Sequence, residues 1–496
     1  MSVLLQAVVI SVLGWAAWSL IRPLFVKSPL DRVAGPQSPS LLAGNLGQLF
    51  DTDAWGFHDE VATRYGPVVK IHAPFGRQWL YVFDPAALQS IVLREQGTYD
   101  QIEWLVRHLR ELTPVFWEVA NRLVSAISRR VKDAPRDIDV LEWMGRTALE
   151  IIGQAGMGHS FDPLVEDEAT DPYTKAAKDY LPLSFTPEMM LVRQLSPILT
   201  RLGPPSFRRW IVDHIPIPRT QKLKRVVDVL YDTSVKIVEE KKDAIAKGDY
   251  AAGKDIMSVL LKANMAAEDS ERLPDEHIIG QINTLLFAAT DTTSHVMAQV
   301  LEMLSRDQEM QEKARRELLE AGNGDEILYD RLMSLPILDA ICKETLRMFP
   351  PTPIVMREAF QDTVLPLSKP MRGTDGSVME SVVVPKGTNV LVGVRACNRN
   401  KAIWGEDAEE WKPERWLKPL PKAVEDASIP GVYSNLGFTF SQLEMKVILA
   451  SLLTNFTFEL SNKPIHWNIS AITFPSTGKD SLKPEMGLKV GRYSAE

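Results

Sequence analysis

Two adjacent residues in the middle of one helix-like segment, Asp291 and Thr292, are of types that can handle protons. They follow Ala288 and Ala289 within an otherwise apolar run over 275–305. A carboxyl group beside a hydroxyl can pass protons where geometry and water access permit, and two small alanines let a flat ligand approach. The alternative is a solvated stripe whose hydroxyls bond to carbonyls one turn earlier. Taken alone, the segment fits either interpretation.

A charged pair further along the chain is the second candidate. Glu344 and Arg347 are three residues apart, which places them on one face of a helix, and a guanidinium can grip a carboxylate through two hydrogen bonds. An exposed pair of this kind contributes less than ~1 kcal/mol, so the pair by itself means little. The third candidate is the turn-rich stretch 413–416, where Arg415 read in isolation is a solvated arginine.

The elements that would position these residues are mostly helices. Two β-type runs over 68–71 and 79–82 predict two strands around a turn at Pro74 and Gly76. Helical periodicity dominates from there to about Met348. Further short strands are predicted at 381–384, 390–392 and 456–460, the last preceded by a helix near 441–455. The predicted fold class is mainly α with small β-sheets.

The amino terminus predicts a membrane anchor. Residues 2–21 contain no charged side chain and supply the roughly 20 residues that a helix needs to cross a bilayer. Arg22 and Lys27 follow on the side that the positive-inside tendency keeps in the cytosol. A cleaved signal peptide is the rival, but it normally carries its positive charge before the apolar run. The predicted organisation is an anchor at 2–21, a Pro/Gly linker at 22–50 and one catalytic-type domain at 51–496.

Composition narrows the class of protein. With 45% hydrophobic and 24% charged residues, the 496-residue chain is neither disordered nor fibrous. A formal net charge of −8 argues against nucleic acid as a partner. Two cysteines, Cys342 and Cys397, are too few for a disulfide framework or a zinc module, and both are predicted to be buried structural thiols. No metal site is predicted from the residues alone.

In this order the motifs resemble those of the cytochrome P450 superfamily, the haem-thiolate monooxygenases, and most closely the fungal microsomal kind. The likeness covers the acid–alcohol helix, in which Ala289 stands where glycine is usual, and the E-x-x-R pair at Glu344. It also covers the P-x-x-x-R sequence that ends at Arg357, and the P-E-R-W loop. The fold implied is that of a cytochrome P450, incomplete, plus one N-terminal transmembrane helix.

The resemblance implies roles for these residues. Arg415 would close a buried triad with Glu344 and Arg347, and deleting one member should cost ~3–5 kcal/mol because a charge would be left buried and unpaired. Arg357 would meet a haem propionate. The alanines at 288 and 289 would face the haem, and the Asp291–Thr292 pair would help to deliver protons.

The resemblance also implies an activity. Members of the family oxidise apolar small molecules with dioxygen, and a membrane-bound flavoprotein reductase passes them electrons from NADPH. The implied cofactor is haem, whose thiolate ligand favours oxygen activation. The implied location is the endoplasmic reticulum membrane, with a single pass and the catalytic domain facing the cytosol.

The chain departs from the family at two places. The haem-binding loop, F-x-x-G-x-R-x-C-x-G in the family, is reduced to a junction at Leu436 and Gly437, and its Arg and Cys are absent. A second junction, at Val106 and Arg107, lacks the substrate-contacting loop and the W-x-x-x-R helix. Lost exons, an alternative transcript or a faulty gene model would each produce this pattern.

The missing loop leads to a functional expectation. Without the axial cysteine we expect little or no monooxygenase activity from this chain. The alternatives are a haem-free pseudoenzyme that serves as a membrane-anchored binding module, or a truncated isoform or misassembled copy of an active enzyme.

Overall fold

The computed structural model describes residues 28–40, 43–51, 53–88, 103–165, 171–184, 189, 192, 199–247, 255–266, 272–322, 325–427, 438–469, 472–479, 481 and 483–494. Over these residues the chain is mainly helical with small sheets, which confirms that part of the predicted fold class. The predicted anchor at 2–21 lies outside the described residues. None of the helices in the described ranges combines the length and apolar character needed to cross a bilayer.

The helices account for most of the described chain. In chain order they are α1 (Leu46–Leu49), α2 (Trp55–Arg64), α3 (Glu103–Arg130), α4 (Val140–Ile151), α5 (Pro172–Ser184), α6 (Pro205–His214), α7 (Pro218–Ala246), α8 (Ile256–Ala266), α9 (Asp275–Arg306), α10 (Gln308–Gly322), α11 (Tyr329–Met333), α12 (Pro336–Met348), α13 (Val394–Asn398), α14 (Lys401–Trp404), α15 (Lys422–Ala427) and α16 (Phe438–Asn455). A π-helical segment, Ile152–Met157, continues α4, and Pro413–Leu417 forms a 3-10 turn.

The strands form small sheets. They are β1 (Val68–His72), β2 (Gln78–Val82), β3 (Arg136–Asp139), β4 (Ile354–Glu358), β5 (Thr363–Arg372), β6 (Val378–Val384), β7 (Asn389–Gly393), β8 (Phe456–Leu460), β9 (His466–Asn468), β10 (Phe474–Ser476) and β11 (Gly487–Arg492). The largest sheet has the order β1-β2-β7-β4, a second has the order β3-β11-β8, and β5–β6 and β9–β10 are pairs. The strands predicted from the sequence all fall within β1, β2, β6, β7 and β8.

Helix α9 is the long central element, and its 32 residues span about 48 Å. It begins after Pro274, which takes the N-cap position. Asp275 and Glu276 occupy the first turn, where carboxylates favour the positive end of the helix dipole. From Thr293 to Leu301 every residue is buried. The carboxyl-terminal half of α9 is therefore fixed by packing on all sides.

The interior consists of two apolar clusters. The larger one surrounds α9 and α16 and includes side chains of α3, α4 and α12. The smaller one lies around the four-stranded sheet and includes Trp79, Tyr81 and Trp404. Of the candidate site residues, Asp291 and Glu344 therefore lie on helices of the larger cluster, whereas Arg357 lies on a strand beside the smaller one.

Part of the predicted linker packs against the sheet. Leu30, Val33, Leu46 and Leu49 are each at most 3% exposed and belong to the smaller cluster. The backbone N–H of Lys70 donates to the carbonyl of residue 34 at 2.8 Å, which ties this segment to β1. Residues 28–50 are therefore integrated into the folded body as far as they are described.

Candidate active site

The structure brings Glu344, Arg347 and Arg415 together in the interior. Glu344 and Arg347 lie one turn apart on α12 and have no exposed side-chain surface. Arg347 donates from Nε to Oε2 and from Nη2 to Oε1 of Glu344, both at 2.8 Å. Arg415 comes from the 3-10 turn and donates from Nε to Glu344 Oε1 at 3.5 Å, with 7% of its side chain exposed. One buried carboxylate is therefore shared by two guanidinium groups.

A second acid balances the charge of this cluster. Arg415 donates from Nη1 to Asp407 Oδ1 at 2.8 Å, and Lys412 Nζ lies 3.0 Å from Asp407 Oδ2. The hydrogen bond from Arg415, then that from Lys412, lowers the pKa of Asp407 to about 2. The carboxylate consequently stays ionised beside Arg415 over the whole physiological pH range.

Arg347 also holds the chain segment that follows α13. Its Nη1 donates to the carbonyls of Asn398 at 2.7 Å and Ala408 at 2.6 Å, and its Nη2 donates to the carbonyl of Glu410 at 3.0 Å. Its guanidinium carbon lies 5.0 Å from the ring centroid of Trp404. Buried carbonyls that would otherwise lack donors are satisfied in this way. The arrangement fixes a long irregular stretch against α12.

Sequence reasoning missed two donors to Glu344. The indole Nε1 of Trp416 donates to Oε2 at 3.0 Å, and the backbone N–H of Lys412 donates to Oε1 at 2.9 Å. Trp416 is the last residue of the P-E-R-W motif, so its position in that motif was the available signal. The contact from the backbone N–H of Lys412 cannot be predicted from residue types.

The small and polar stretch of α9 lies at the boundary between buried and accessible surface. Ala288 is exposed, while Ala289, Asp291 and Thr292 are half-buried. The hydroxyl of Thr292 donates to the carbonyl of Ala288 at 2.7 Å. The side chain of Thr292 is therefore engaged one turn back, as both interpretations of the sequence allow.

The carboxyl group of Asp291 has an unusually high pKa. Its side chain retains some accessible surface, yet the protein around the carboxyl group raises its pKa to about 7. Burial is the cause, and the opposing charge of Lys178 on α5 only reduces the effect. A carboxyl group with this pKa is poised to gain or lose a proton near neutrality.

Arg357 is an exposed cation on β4. Its Nη1 donates to the carbonyl of its neighbour Met356 at 2.9 Å, and no carboxylate of the described residues lies within ion-pair distance. Hydrogen bonds and ion pairs join the members of the Glu344 cluster to one another, but none in the described chain joins Arg357 to Asp291 or Thr292. Among the described residues Arg357 therefore has no counter-charge.

Both thiols of the chain are buried in the interior, which confirms the prediction that they are buried. Cys342 on α12 is 0% exposed and packs within the helical cluster, and Cys397 on α13 is 1% exposed and packs within the sheet cluster. Burial raises the pKa of each thiol to about 12. Neither sulfur is presented as a thiolate. Within the described ranges no group of three His, Cys, Asp or Glu could hold a metal ion.

Glu444 on α16 is a buried acid that sequence reasoning did not single out. It is 0% exposed, and neither carboxylate oxygen has a hydrogen-bond partner among the described residues. Burial raises its pKa well above the usual value. Its sequence context, between Leu443 and Met445 in an apolar helix, was the signal that a charge was being buried.

The fold and the Glu344 cluster define a mainly helical protein whose central helix carries an acid–alcohol pair, and comparison with known proteins identifies the family. The family described as Cytochrome P450 matches residues 103–477, or 375 of the 496 residues. Cytochrome P450 monooxygenase 91 of Postia placenta is 44% identical, with 99% of each chain covered. Cytochrome P450 monooxygenase 81 of the same fungus is 43% identical over 96% of this chain and 95% of its own.

A third relative is the ganoderic acid synthetase CYP5150L8 of Ganoderma lucidum, 42% identical over 98% of both chains. The chain belongs to the cytochrome P450 family and is related to its fungal monooxygenases. Proteins of this family carry haem, receive electrons from an NADPH-dependent reductase and act on small molecules.

The comparison also reveals internal gaps in the chain. The match to monooxygenase 91 extends over 539 aligned positions, whereas the chain has 496 residues. At least 43 positions of that relative, the difference between the two lengths, therefore have no counterpart here.

Proposed function

We propose that this chain keeps the frame of an NADPH- and O2-dependent monooxygenase for an apolar small molecule but does not catalyse that reaction, because no cysteine is available to ligate haem. The observation that carries the proposal is the burial of both thiols, Cys342 and Cys397, in separate apolar clusters. In the proposed setting, residues 2–21 anchor the chain in the endoplasmic reticulum membrane and the folded body faces the cytosol.

The residues present do not fit a thiolate-ligated haem. The group supplies oxygen activation to the family only when a cysteine thiolate binds its iron. Cys342 lies two residues before Glu344 on α12, and moving its sulfur out of the core would disrupt that helix. Cys397 is enclosed beside the four-stranded sheet. No step of the reaction can therefore be assigned to this chain.

Several features of the chain nevertheless match those expected of a haem-binding monooxygenase. Arg357 is exposed and unpaired among the described residues, as an arginine that met a propionate would be. Ala288 and Ala289 leave α9 accessible beside the Asp291–Thr292 pair. The 43 or more unmatched positions support loss of sequence rather than substitution in place. In this proposal the fold of the monooxygenase is kept, and the loop that carries the haem-ligating cysteine is lost.

The direct test is the reduced, CO-bound absorption spectrum of the full chain in membranes. We expect no thiolate-type Soret band, whereas monooxygenase 91 of Postia placenta, prepared in the same way, should give one. A full thiolate-type band from this chain would overturn the proposal. If a band appeared, Cys342→Ala and Cys397→Ala variants would identify the sulfur responsible.

A matched pair of chimeras sharpens the test. In one, the corresponding segments of monooxygenase 91 are inserted between Leu436 and Gly437 and between Val106 and Arg107; in the other, the inserted cysteine is alanine. We expect haem–thiolate absorption from the first chimera only. Equal spectra from both would contradict the role given to the cysteine.

A haem-free, membrane-anchored binding module is the second candidate function, because the Glu344 cluster is complete without a cofactor. A truncated isoform or a misassembled copy of an active gene would leave the same chain. Full-length transcript sequencing distinguishes these cases, since it reveals whether coding sequence exists at the two junctions. Transcripts with both segments would assign the activity to the longer product.

A further inference from the structure

A half-open cleft lies beside the four-stranded sheet, away from the acid–alcohol helix. Its volume is about 990 Å³, and its walls come from α2, β2, β5, α13, α14 and α15. Neither Asp291, Thr292 nor Arg357 lines it. A volume of this order is typical of small-molecule sites. We call it the arginine cleft, after Arg395 and Arg399, which lie one turn apart at its wall.

The two arginines differ in how their charge is compensated. Arg395 forms an ion pair with Asp59 at 2.5 Å, and its guanidinium carbon lies 4.7 Å from the ring centroid of Trp55. Arg399 donates from Nε and Nη2 to the carbonyl of Met348, at 3.0 and 2.9 Å, and has no carboxylate within ion-pair distance in the described chain. Burial, then the charge of Arg395, lowers the pKa of Arg399 to about 9.

None of the acids that line the cleft forms an ion pair with Arg399 in the described chain. Asp84 accepts hydrogen bonds from Ser368, and Asp59 is engaged by Arg395. Glu409 and Asp426 are exposed at the rim, as are the lysines Lys369 and Lys401. The half-buried guanidinium of Arg399 thus has no ion-pair partner among the described residues, an arrangement that an anionic ligand relieves.

The rest of the wall is largely apolar. Aromatic and aliphatic side chains line it, among them Trp55, Tyr81, Phe83, Met371, Ile403 and Ile469. An inorganic anion would leave this surface in contact with water, whereas a ligand with an apolar body would cover it. Arg399 is the one arginine of the cleft wall without an ion-pair partner among the described residues, so one negative charge on the ligand would suffice.

We propose that the arginine cleft binds an amphipathic molecule with a single carboxylate head, held by Arg399 with Arg395 beside it, and an apolar body against the aromatic wall. The site is independent of the proposed loss of haem, because none of its residues belongs to the Glu344 cluster or to the Asp291 helix segment.

The test is isothermal titration of the full chain in nanodiscs of zwitterionic lipid, with empty nanodiscs as the blank. The titrants are dodecanoate, dodecanol and inorganic phosphate. We expect dodecanoate to bind and the other two to bind at least tenfold more weakly. Dodecanol binding as tightly as dodecanoate would overturn the role of the charge, and phosphate binding as tightly would overturn that of the apolar wall.

Variants locate the site. Arg399→Gln should weaken dodecanoate binding about 10- to 100-fold, the usual range for a charge-assisted hydrogen bond, and Arg399→Lys should restore part of it. Because Arg399 also supports the carbonyl of Met348, thermal unfolding of each variant is measured, and Arg395→Gln provides a second probe expected to weaken binding. Arg316→Gln, at an exposed position on α10, is the matched control.

Arg357→Gln separates this proposal from binding at the exposed arginine of β4. If that variant, and not Arg399→Gln, abolished dodecanoate binding, the ligand would sit at the exposed arginine of β4 and the proposal would be wrong. Absence of dodecanoate binding to a folded wild-type chain would also overturn it.

Discussion

Replacing Glu344 by glutamine should destabilise the fold more than any surface charge substitution. Its carboxylate accepts from Arg347 twice, from Arg415, from Trp416 and from the backbone of Lys412. The neutral amide keeps the shape of the side chain but removes the negative charge that two guanidinium groups share. Arg347 is 0% and Arg415 7% exposed, so neither can recover its solvation in water.

The size of the effect follows from this burial. Breaking a buried ion pair by removing one partner costs about 3–5 kcal/mol. Unfolding entropy of roughly 2.1 cal/mol/K per residue gives about 1 kcal/mol/K for 496 residues. The expected fall in Tm is therefore about 3–5 °C.

Thermal unfolding followed by tryptophan fluorescence measures this fall. Glu459→Gln is the control, because its ion pair with Lys489 is about half exposed on both sides and should contribute under ~1 kcal/mol. A shift for Glu344→Gln no larger than that for Glu459→Gln would refute the reasoning.

The remaining predictions concern groups buried in the helical and sheet clusters. Glu444→Met should raise the free energy of unfolding at pH 8 by at least ~1 kcal/mol, because the wild-type chain buries a carboxyl group that has no partner among the described residues. The raised pKa of Glu444 means that the folded state holds a proton that the unfolded state releases above about pH 4.5, so wild-type stability falls as pH rises and the gain should shrink at pH 5. Urea unfolding at both pH values measures this, and a gain that did not depend on pH would contradict it. Cys342 and Cys397 should resist a maleimide at pH 8 in the native chain and react in urea, since burial raises the pKa of both thiols to about 12. Rapid native labelling, read by mass spectrometry, would disprove their enclosure.

The sequence predicted best where a local rule was at work. The spacing of Glu344 and Arg347 placed both on one helical face, and the structure has them in a two-bonded contact on α12. Runs of β-branched and aromatic residues located β1 and β2. Each of these signals lies within a few residues of what it predicts.

Long-range partners were beyond such rules. The spacing alone gave no reason to bring Arg415 to Glu344, 71 residues away, and only the family resemblance did so. The carbonyls that Arg347 binds have no sequence signature. The packing of Leu30 and Leu46 was hidden by the surrounding Pro and Gly residues, which read as a linker. Glu444 has no hydrogen-bond partner among the described residues because the helices packed around it place no donor there, and the sequence does not reveal that packing.

The attachment of the earliest described residues has a geometric consequence. Ser28 and Asp31 form a capping box, and Thr374, in the turn between β5 and β6, donates to the carbonyls of Asp31 and Arg32. If residues 2–21 cross a bilayer, only six residues, about 20 Å of extended chain, separate the span from this clamp. A connection this short would hold the β5–β6 turn close to the lipid headgroups. It would also restrict how far the folded domain can tilt relative to the membrane.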